Sequence, residues 1–236
     1  MANGSFSFKQ FTIRQDQCAM KVGTDGTLLG AWAQGGCRVL DIGTGTGLIA
    51  LMMAQRFPSA LVTGIDIDEF ACIQAQANVL ASPFYNQVSI IHADLQAFAN
   101  QSKVNGCFDA IVSNPPFFEE SLVCLDGQRT IARHTVQLSF SLLMTCVSHL
   151  LSDDGEFSVI IPSECQSRLE GEAYLAGLFK SRECRVRTTP RKPVRRCLLA
   201  FRKHPVEVLE LTEGVIETAP KERSPWYVEL TKDFYL

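Results

Sequence analysis

Asn114, Pro115, Pro116 and Phe117 stand in succession directly after the apolar run 108–113. A short apolar run bounded by turn formers reads as a buried strand, so the tetrapeptide sits at a strand end. An amide, two imino acids and an aromatic ring make a poor turn. They make a good pocket for a flat base that carries an exocyclic amine. Proline fixes φ and lacks an N–H, so the backbone here is mainly a hydrogen-bond acceptor, and the Asn114 side-chain carbonyl is another. An amino group held between such acceptors, with its ring stacked on Phe117, is presented for reaction. Phe118 is the alternative stacking ring; Phe117 is preferred for its adjacency to the prolines.

A second set lies earlier, in Asp41-Ile42-Gly43-Thr44-Gly45-Thr46-Gly47. Three closely spaced glycines permit positive φ and close approach of a ligand to the backbone. A dinucleotide loop wants G-x-G-x-x-G, with its third glycine where this chain has Leu48, and Asp41 would stand near a negative pyrophosphate. S-adenosylmethionine has no phosphate and carries a cationic sulfonium and ammonium, so an acid beside the loop suits it better. Asp66 closes the predicted strand 61–66, where a carboxylate accepts from both ribose hydroxyls. Asp94 follows the predicted strand 88–92 and is placed to bond an adenine amino group. Ile67 and Leu95, next to those aspartates, are counted with them in the cofactor set, as are Thr44 and Asn114. In a competing reading each aspartate caps the helix that follows; Asp68 is given to capping and Asp66 to the ligand.

Elements able to hold these residues are legible around them. Strands are predicted over 38–42, 61–66, 88–92, 108–113, 156–161, 183–189 and 196–201, and helices over 48–57, 70–80, 137–151 and 164–179. Strands alternating with helices give an α/β fold, a doubly wound, mostly parallel, seven-stranded Rossmann-like sheet. A C-terminal antiparallel hairpin closes it. The chain is read as a single domain over 1–236. Residues 1–34 form an extension with a hairpin signal in Phe6, Phe8, Phe11 and Ile13, then a short helix capped by Thr24 or Asp25. Residues 35–204 form the core. The tail 205–236, with one possible strand over 206–211, is expected to pack on that core.

The 236 residues are 46% hydrophobic and 20% charged, as in a soluble globular protein. No apolar run reaches the roughly 20 residues of a membrane span, and no basic segment followed by an apolar stretch marks a secretory signal. A cytoplasmic protein is expected. Nine cysteines occur without a C-x-x-C or zinc spacing, which favours reduced, buried thiols and no metal. The net charge of −3 conceals an uneven distribution: between positions 182 and 203 nine cations face only Glu183. Arg191, Lys192, Arg195 and Arg196 fall at the predicted hairpin turn and are the best candidates for a nucleic-acid backbone. Arg182, Arg185 and Arg202 are as readily a solvated β face paired to nearby acids. His92 is read as structural.

The glycine loop, Asp66, Asp94 and Asn114 at four successive strand ends resemble a class I S-adenosylmethionine-dependent methyltransferase. Asn114-Pro115-Pro116-Phe117 resembles the motif of amino-group methyltransferases, which act on adenine N6, guanine N2 or glutamine N5. Met20-Lys21-Val22-Gly23-Thr24-Asp25-Gly26, Asn114-Pro115-Pro116-Phe117-Phe118, Ala132-Arg133-His134 and Leu230-Thr231-Lys232-Asp233-Phe234-Tyr235-Leu236 together resemble the bacterial tRNA1(Val) adenine-N6 methyltransferases. That family modifies the adenine just 3′ of the anticodon, position 37. The resemblance implies S-adenosyl-L-methionine as cofactor, S-adenosyl-L-homocysteine as product, a tRNA anticodon stem-loop as partner, and a monomer. It also implies Lys21, Gly23 and Thr24 at the cofactor's methionine end, and Arg129, Arg133 and His134 at the near rim of the RNA site. Glutamine N5 enzymes usually carry tyrosine after the prolines and a helical N-terminal domain, unlike this chain. Guanine N2 of ribosomal RNA is a further alternative. An NAD-binding oxidoreductase is disfavoured by the glycine spacing and by the lack of a tyrosine–lysine pair.

Overall fold

The computed structural model describes residues 4–16, 21–116 and 138–235. An antiparallel hairpin, β1 (Ser5–Ser7) and β2 (Thr12–Arg14), leads the chain. The main sheet holds β3 (Arg38–Ile42), β4 (Leu61–Asp66), β5 (Val88–His92), β6 (Phe108–Ser113), β7 (Leu151–Pro162), β8 (Phe179–Arg187), β9 (Val194–Arg202) and β10 (Glu210–Val215). Their order is β10-β8-β9-β7-β6-β3-β4-β5. All neighbouring pairs are parallel except those of β9, which runs against both β7 and β8. Seven strands answer to the seven expected. The eighth, β10, lies four residues beyond the start of its predicted position and adds a parallel strand outside β8, so the antiparallel hairpin does not form the edge.

The helices are α1 (Thr24–Trp32), α2 (Leu48–Arg56), α3 (Glu69–Leu80), α4 (Leu95–Ala99), α5 (Phe140–Leu150), α6 (Gln166–Leu175) and α7 (Pro225–Thr231). Successive side chains of a strand point to opposite faces, and this alternation divides the core in two. Val39, Val62, Val112, Ile160 and Leu198 join α1, α2 and the hairpin's Phe8, Phe11 and Ile13 on one face. Leu40, Ile65, Ile111, Val159 and Leu199 join α4, α5 and α6 on the other. Strands buried on both faces are therefore apolar throughout, as expected of parallel sheets between helix layers.

Several boundaries differ from the sequence reading for local reasons. Helix α1 begins after Gly23, with no side-chain cap, so neither Thr24 nor Asp25 serves as one. The predicted helix 164–179 becomes a 3-10 turn (Ser163–Cys165) and α6, because Gly177 adopts φ 76° and Leu178 donates back to the Ala173 carbonyl at 2.8 Å. This αL glycine stop releases Phe179 to start β8. Helix α5 starts after Ser139, whose hydroxyl accepts from the Leu142 amide.

Beyond β10, a small hairpin of β11 (Glu217–Ala219) and β12 (Glu222–Arg223) precedes α7, which is capped by Ser224 with Pro225 in its first turn. The chain end lies on the N-terminal hairpin. The Lys9 amide donates to the Phe234 carbonyl at 2.8 Å, the Phe8 and Tyr235 rings stack at 5.7 Å, and Gln55 Nε2 donates to the Asp233 carbonyl at 2.7 Å. Among the described residues no helix is long and apolar enough to cross a membrane.

Trp226 of α7 packs against β10, and a Cβ at Gly214 would come within 2.3 Å of its ring. Gly214→Ala must displace a fused ring system, and overpacking of this kind costs about 1–3 kcal/mol. Urea unfolding should show that loss; an unchanged midpoint would mean Trp226 is not fixed on the strand.

Candidate active site

Parallel register levels the strand ends. Ile42 of β3 pairs with Ile65 of β4 and with Ser113 of β6, and Asp66 pairs with His92 of β5. Gly43, Asp66, Ala93 and Asn114 therefore all leave the sheet at its carboxyl edge, where open α/β sheets bind ligands. Ser113 is fully buried, and its hydroxyl donates to the Ile42 carbonyl at 3.0 Å. That bond ties the strand that ends at Asn114 to the strand that ends at the glycine loop.

Gly43, Gly45 and Gly47 have φ of 71°, 55° and 81°, the left-handed region that disfavours a Cβ. The Gly43 and Thr44 amides both donate to the Ile65 carbonyl, at 2.9 and 3.0 Å. Side chains hold the rest of the loop. Asp41 Oδ2 accepts from the Thr44 hydroxyl at 2.7 Å and from the Ala50 amide of α2 at 3.1 Å. Asp66 Oδ2 accepts from the Gly45 amide at 2.8 Å and Oδ1 from the Asp68 amide at 3.0 Å. Asn78 of α3 donates to the Thr46 carbonyl at 2.9 Å.

Asp41 has no exposed surface, so its carboxylate lies beneath the loop and not in the open crevice. Its Oδ1 is buried without a hydrogen-bond partner. Burial pushes its pKa up to about 7; the Thr44 and Ala50 bonds oppose the rise and the charge of Asp66 adds to it. The unused lone pairs of Oδ1 suit a cationic ligand above the loop, whose charge would favour the ionised form. A Cβ at Gly43 would meet nothing within 4 Å, so space is open there. These features fit S-adenosylmethionine and fit a pyrophosphate poorly.

The aspartates divide in their helix-capping roles. Asp68 caps α3, accepting from the Phe70 and Ala71 amides. Asp94 caps α4 through Oδ1, accepting from the Ala97 amide at 2.9 Å. Asp66 caps no helix. Ile67 is half exposed and Leu95 buried; the Ile67 carbonyl meets His92 Nε2 at 3.0 Å, which gives His92 a structural partner. Lys21 and Gly23 are exposed and Thr24 half buried, just before and within the first turn of α1. Asn114 is half buried, Pro115 buried and Pro116 exposed. Phe117, Phe118, Arg129, Arg133 and His134 lie outside the described residues.

The turn 188–193 joins β8 to β9. Because Pro162, at the carboxyl end of β7, pairs with Arg196, this turn projects from the same sheet edge as Asn114. Acids from elsewhere neutralise most of the nine cations. Arg182 reaches Glu156 and Glu210, Arg185 reaches Glu183, and Arg187 reaches Glu213. Arg202 also reaches Glu156, and Lys203 reaches Asp153. Arg196, grouped with the turn on sequence, is tied inward: its Nε donates to Asp25 Oδ2 at 2.8 Å. Arg191, Lys192 and Arg195 are exposed and form no ion pair among the described residues. The cysteines described in the structure are all free thiols, and burial raises Cys72, Cys146 and Cys197 to about 11. No cluster of three or more metal-ligating side chains occurs among the described residues.

Sequence reasoning missed Asn78 and Ser113. Asn78 sits inside a helix where the hydrophobic pattern masks it; Ser113 closes a strand, where a small polar residue gives no signal without the register.

Sheet order and loop chemistry define a methyltransferase, and residues 27–188 match the family described as "Methyltransferase small domain". A solved structure of a predicted O-methyltransferase, Atu636 from Agrobacterium tumefaciens, shares the fold with a TM-score of 0.69 at 19% identity, covering 89% of this chain and 96% of its own. Two curated proteins, from Bacteroides thetaiotaomicron and Phocaeicola vulgatus, are 44% and 46% identical; each match covers 100% of this chain and 99% of the relative. Both are named tRNA1(Val) (adenine(37)-N6)-methyltransferase. The chain belongs to that family of methyltransferases.

Asp41 yields a pH test. An aspartate ordinarily near 3.8 and held near 7 in the fold costs stability once ionised, by about 4 kcal/mol when fully so. Wild-type stability should fall, relative to Asp41→Asn, as pH rises from 4 through 7, then run parallel above 8. Denaturant unfolding at a series of pH values measures the gap; a constant gap rules out a raised carboxyl pKa.

Proposed function

We propose that this protein transfers a methyl group from S-adenosylmethionine to N6 of adenine 37 in tRNA1(Val). The observation that carries this reading is the levelling of Gly43, Asp66 and Asn114 on one sheet edge, with Arg191 and Lys192 on the turn and Arg195 at the start of β9, at that same edge and without an ion pair among the described residues. Near-full-length likeness to curated enzymes of that name supports the choice of nucleotide.

The glycine loop, Asp66 with Ile67, Asp94 with Leu95, and the 21–24 segment hold the cofactor, whose cationic groups draw Asp41 below the loop toward its ionised form. When bound, S-adenosylmethionine supplies an electrophilic methyl group. An adenine amine is a poor nucleophile because its lone pair is delocalised into the ring. Asn114 Oδ1 and the Pro115 carbonyl accept its two hydrogens and favour a pyramidal nitrogen, whose lone pair can then point out of the ring plane. Phe117 stacks on the base, worth about 1–3 kcal/mol. No side-chain base is needed before attack, since the methylated nitrogen becomes acidic, and orientation supplies most of the rate.

Arg191, Lys192 and Arg195 meet the anticodon-loop phosphates, with Arg129, Arg133 and His134 as the near rim. Arg196 is reassigned to holding α1. A loop base is easier to extrude than one within a duplex. Residues 1–236 are proposed to act as one domain, as a cytoplasmic monomer.

Incubation with labelled S-adenosylmethionine and total tRNA, followed by nucleoside analysis, should yield N6-methyladenosine in valine tRNA. Methylguanosine, or label only in protein, would replace the assignment. Asn114→Ala should abolish turnover yet leave S-adenosylhomocysteine affinity within about twofold; near-normal turnover would remove Asn114 from its role. Reversing the charges of Arg191, Lys192 and Arg195 should weaken RNA binding and reduce the salt slope by about 0.7 for each lost phosphate contact. An unaltered slope would exclude this turn from the RNA surface.

A further inference from the structure

The proposed cofactor cradle has two flanks from distant parts of the sequence: the glycine loop, and the 21–24 segment ahead of α1. A path of side-chain hydrogen bonds joins them through Asn78 and Gln15. Asn78 is 1% exposed and uses both ends of its amide. Its Oδ1 accepts from the Arg14 amide at 2.9 Å, and its Nδ2 donates to the Arg14 carbonyl and to the Thr46 carbonyl, each at 2.9 Å. The side chain thus pairs with Arg14 as a strand neighbour would, while its remaining hydrogen reaches the loop. The next residue, Gln15, is buried, and its Oε1 accepts from the Val22 amide at 2.8 Å. The path therefore runs from Thr46 through Asn78, Arg14 and Gln15 to Val22, which adjoins both Lys21 and Gly23.

The amide orientation is dictated by its partners. One end faces an N–H and the other faces two carbonyl oxygens, so neither a flipped amide nor a carboxylate satisfies all three. The loop also rests on the same face of α3 one turn earlier, where a Cβ at Gly47 would lie 3.3 Å from the Ala75 Cβ. Ala75 sets how closely the loop approaches the helix, and Asn78 fastens it there.

We propose that Asn78 and Gln15 are positioning residues that fix the spacing between the two flanks of the cofactor cradle, so that the N-terminal hairpin is part of the cofactor-binding machinery. This rests on the proposed use of S-adenosylmethionine. Neither side chain is proposed to touch ligand. Losing either bond lets one flank drift and lowers cofactor affinity. A bound and closed cradle still places the methyl group, so turnover at saturating cofactor is largely kept.

The test uses the full chain with Asn78→Ala, Gln15→Ala and the double variant. Calorimetry should show S-adenosylhomocysteine binding at least tenfold weaker in Asn78→Ala and about three- to fivefold weaker in Gln15→Ala. The double variant should be no weaker than Asn78→Ala, because both cut one path. The cofactor KM should rise in step while kcat stays within about threefold. Affinity within twofold of wild type in folded Asn78→Ala, effects that multiply in the double variant, or a fall in kcat without a rise in KM would each overturn the proposal. If Asn78→Ala does not fold, Gln15→Ala decides alone, and affinity within twofold of wild type sinks the idea. Hydrogen exchange without ligand separates this from failure of the cofactor reading. If the wild type binds no S-adenosylhomocysteine, that reading has failed, but amides of both 45–47 and 22–24 should still exchange faster in Asn78→Ala. Faster exchange on one flank only would refute the bridge itself.

Discussion

The backbone between Gly43 and Gly47 cannot join a regular ladder, because its three glycines stand at positive φ. Its polar groups must nevertheless find partners, since a buried, unpaired peptide group costs as much as a lost hydrogen bond. Much else in the structure follows from meeting that demand. The β4 carbonyl of Ile65 takes two loop amides, Asp66 takes a third, and Asp41 holds Thr44 against the start of α2. Loop residues so heavily bound to side chains have a fixed shape before any ligand arrives. Preorganisation of that kind avoids ordering the loop at the moment of binding.

The arrangement has an electrostatic cost placed where it is useful. Asp41 is enclosed and disfavours its own ionisation, yet in the same enclosure its charge, once formed, is only weakly screened from a cation above the loop. At the other end of the crevice the sign is opposite. Arg182, Arg185, Arg187, Arg196, Arg202 and Lys203 are each matched to an acid, which leaves the positive field concentrated at Arg191, Lys192 and Arg195. That concentration is what the proposed RNA surface requires, since a polyanion is drawn to uncompensated cations. An overall charge of −3 is no obstacle to such binding, because a polyanion responds to the local field within a Debye length.

The sheet was legible because strands buried on both faces leave unbroken apolar runs, and the glycine loop and Asn114 motif were legible because their residue types have few structural uses. What escaped depended on contacts between distant segments. Five of the nine cations in 182–203 looked unpaired because their partners Glu156, Glu210, Glu213, Asp25 and Asp153 lie far away in sequence; only the Arg185–Glu183 pair is local. The same limit misplaced β10, expected over 206–211 and found at Glu210–Val215, because its first four residues are exposed and carry Glu210 and Glu213 in place of an apolar pattern. It also hid Asn78, whose three partners are 32 and 64 positions away.

A reaction limited by geometry asks for rigidity more than for reactive side chains. Ser113 shows how the sheet provides it: one hydroxyl bond to Ile42 joins the strand carrying the proposed amine acceptors to the strand carrying the loop. Pro115 and Pro116 then restrict the backbone immediately beyond that bond. Freedom is removed on both sides of the point where amine and methyl group are proposed to meet. A side-chain base there would contribute little to a step whose proton is proposed to leave after the bond has formed. On this proposal the strand end works by accepting hydrogen bonds in a fixed direction, which two prolines and an amide oxygen do with few competing donors.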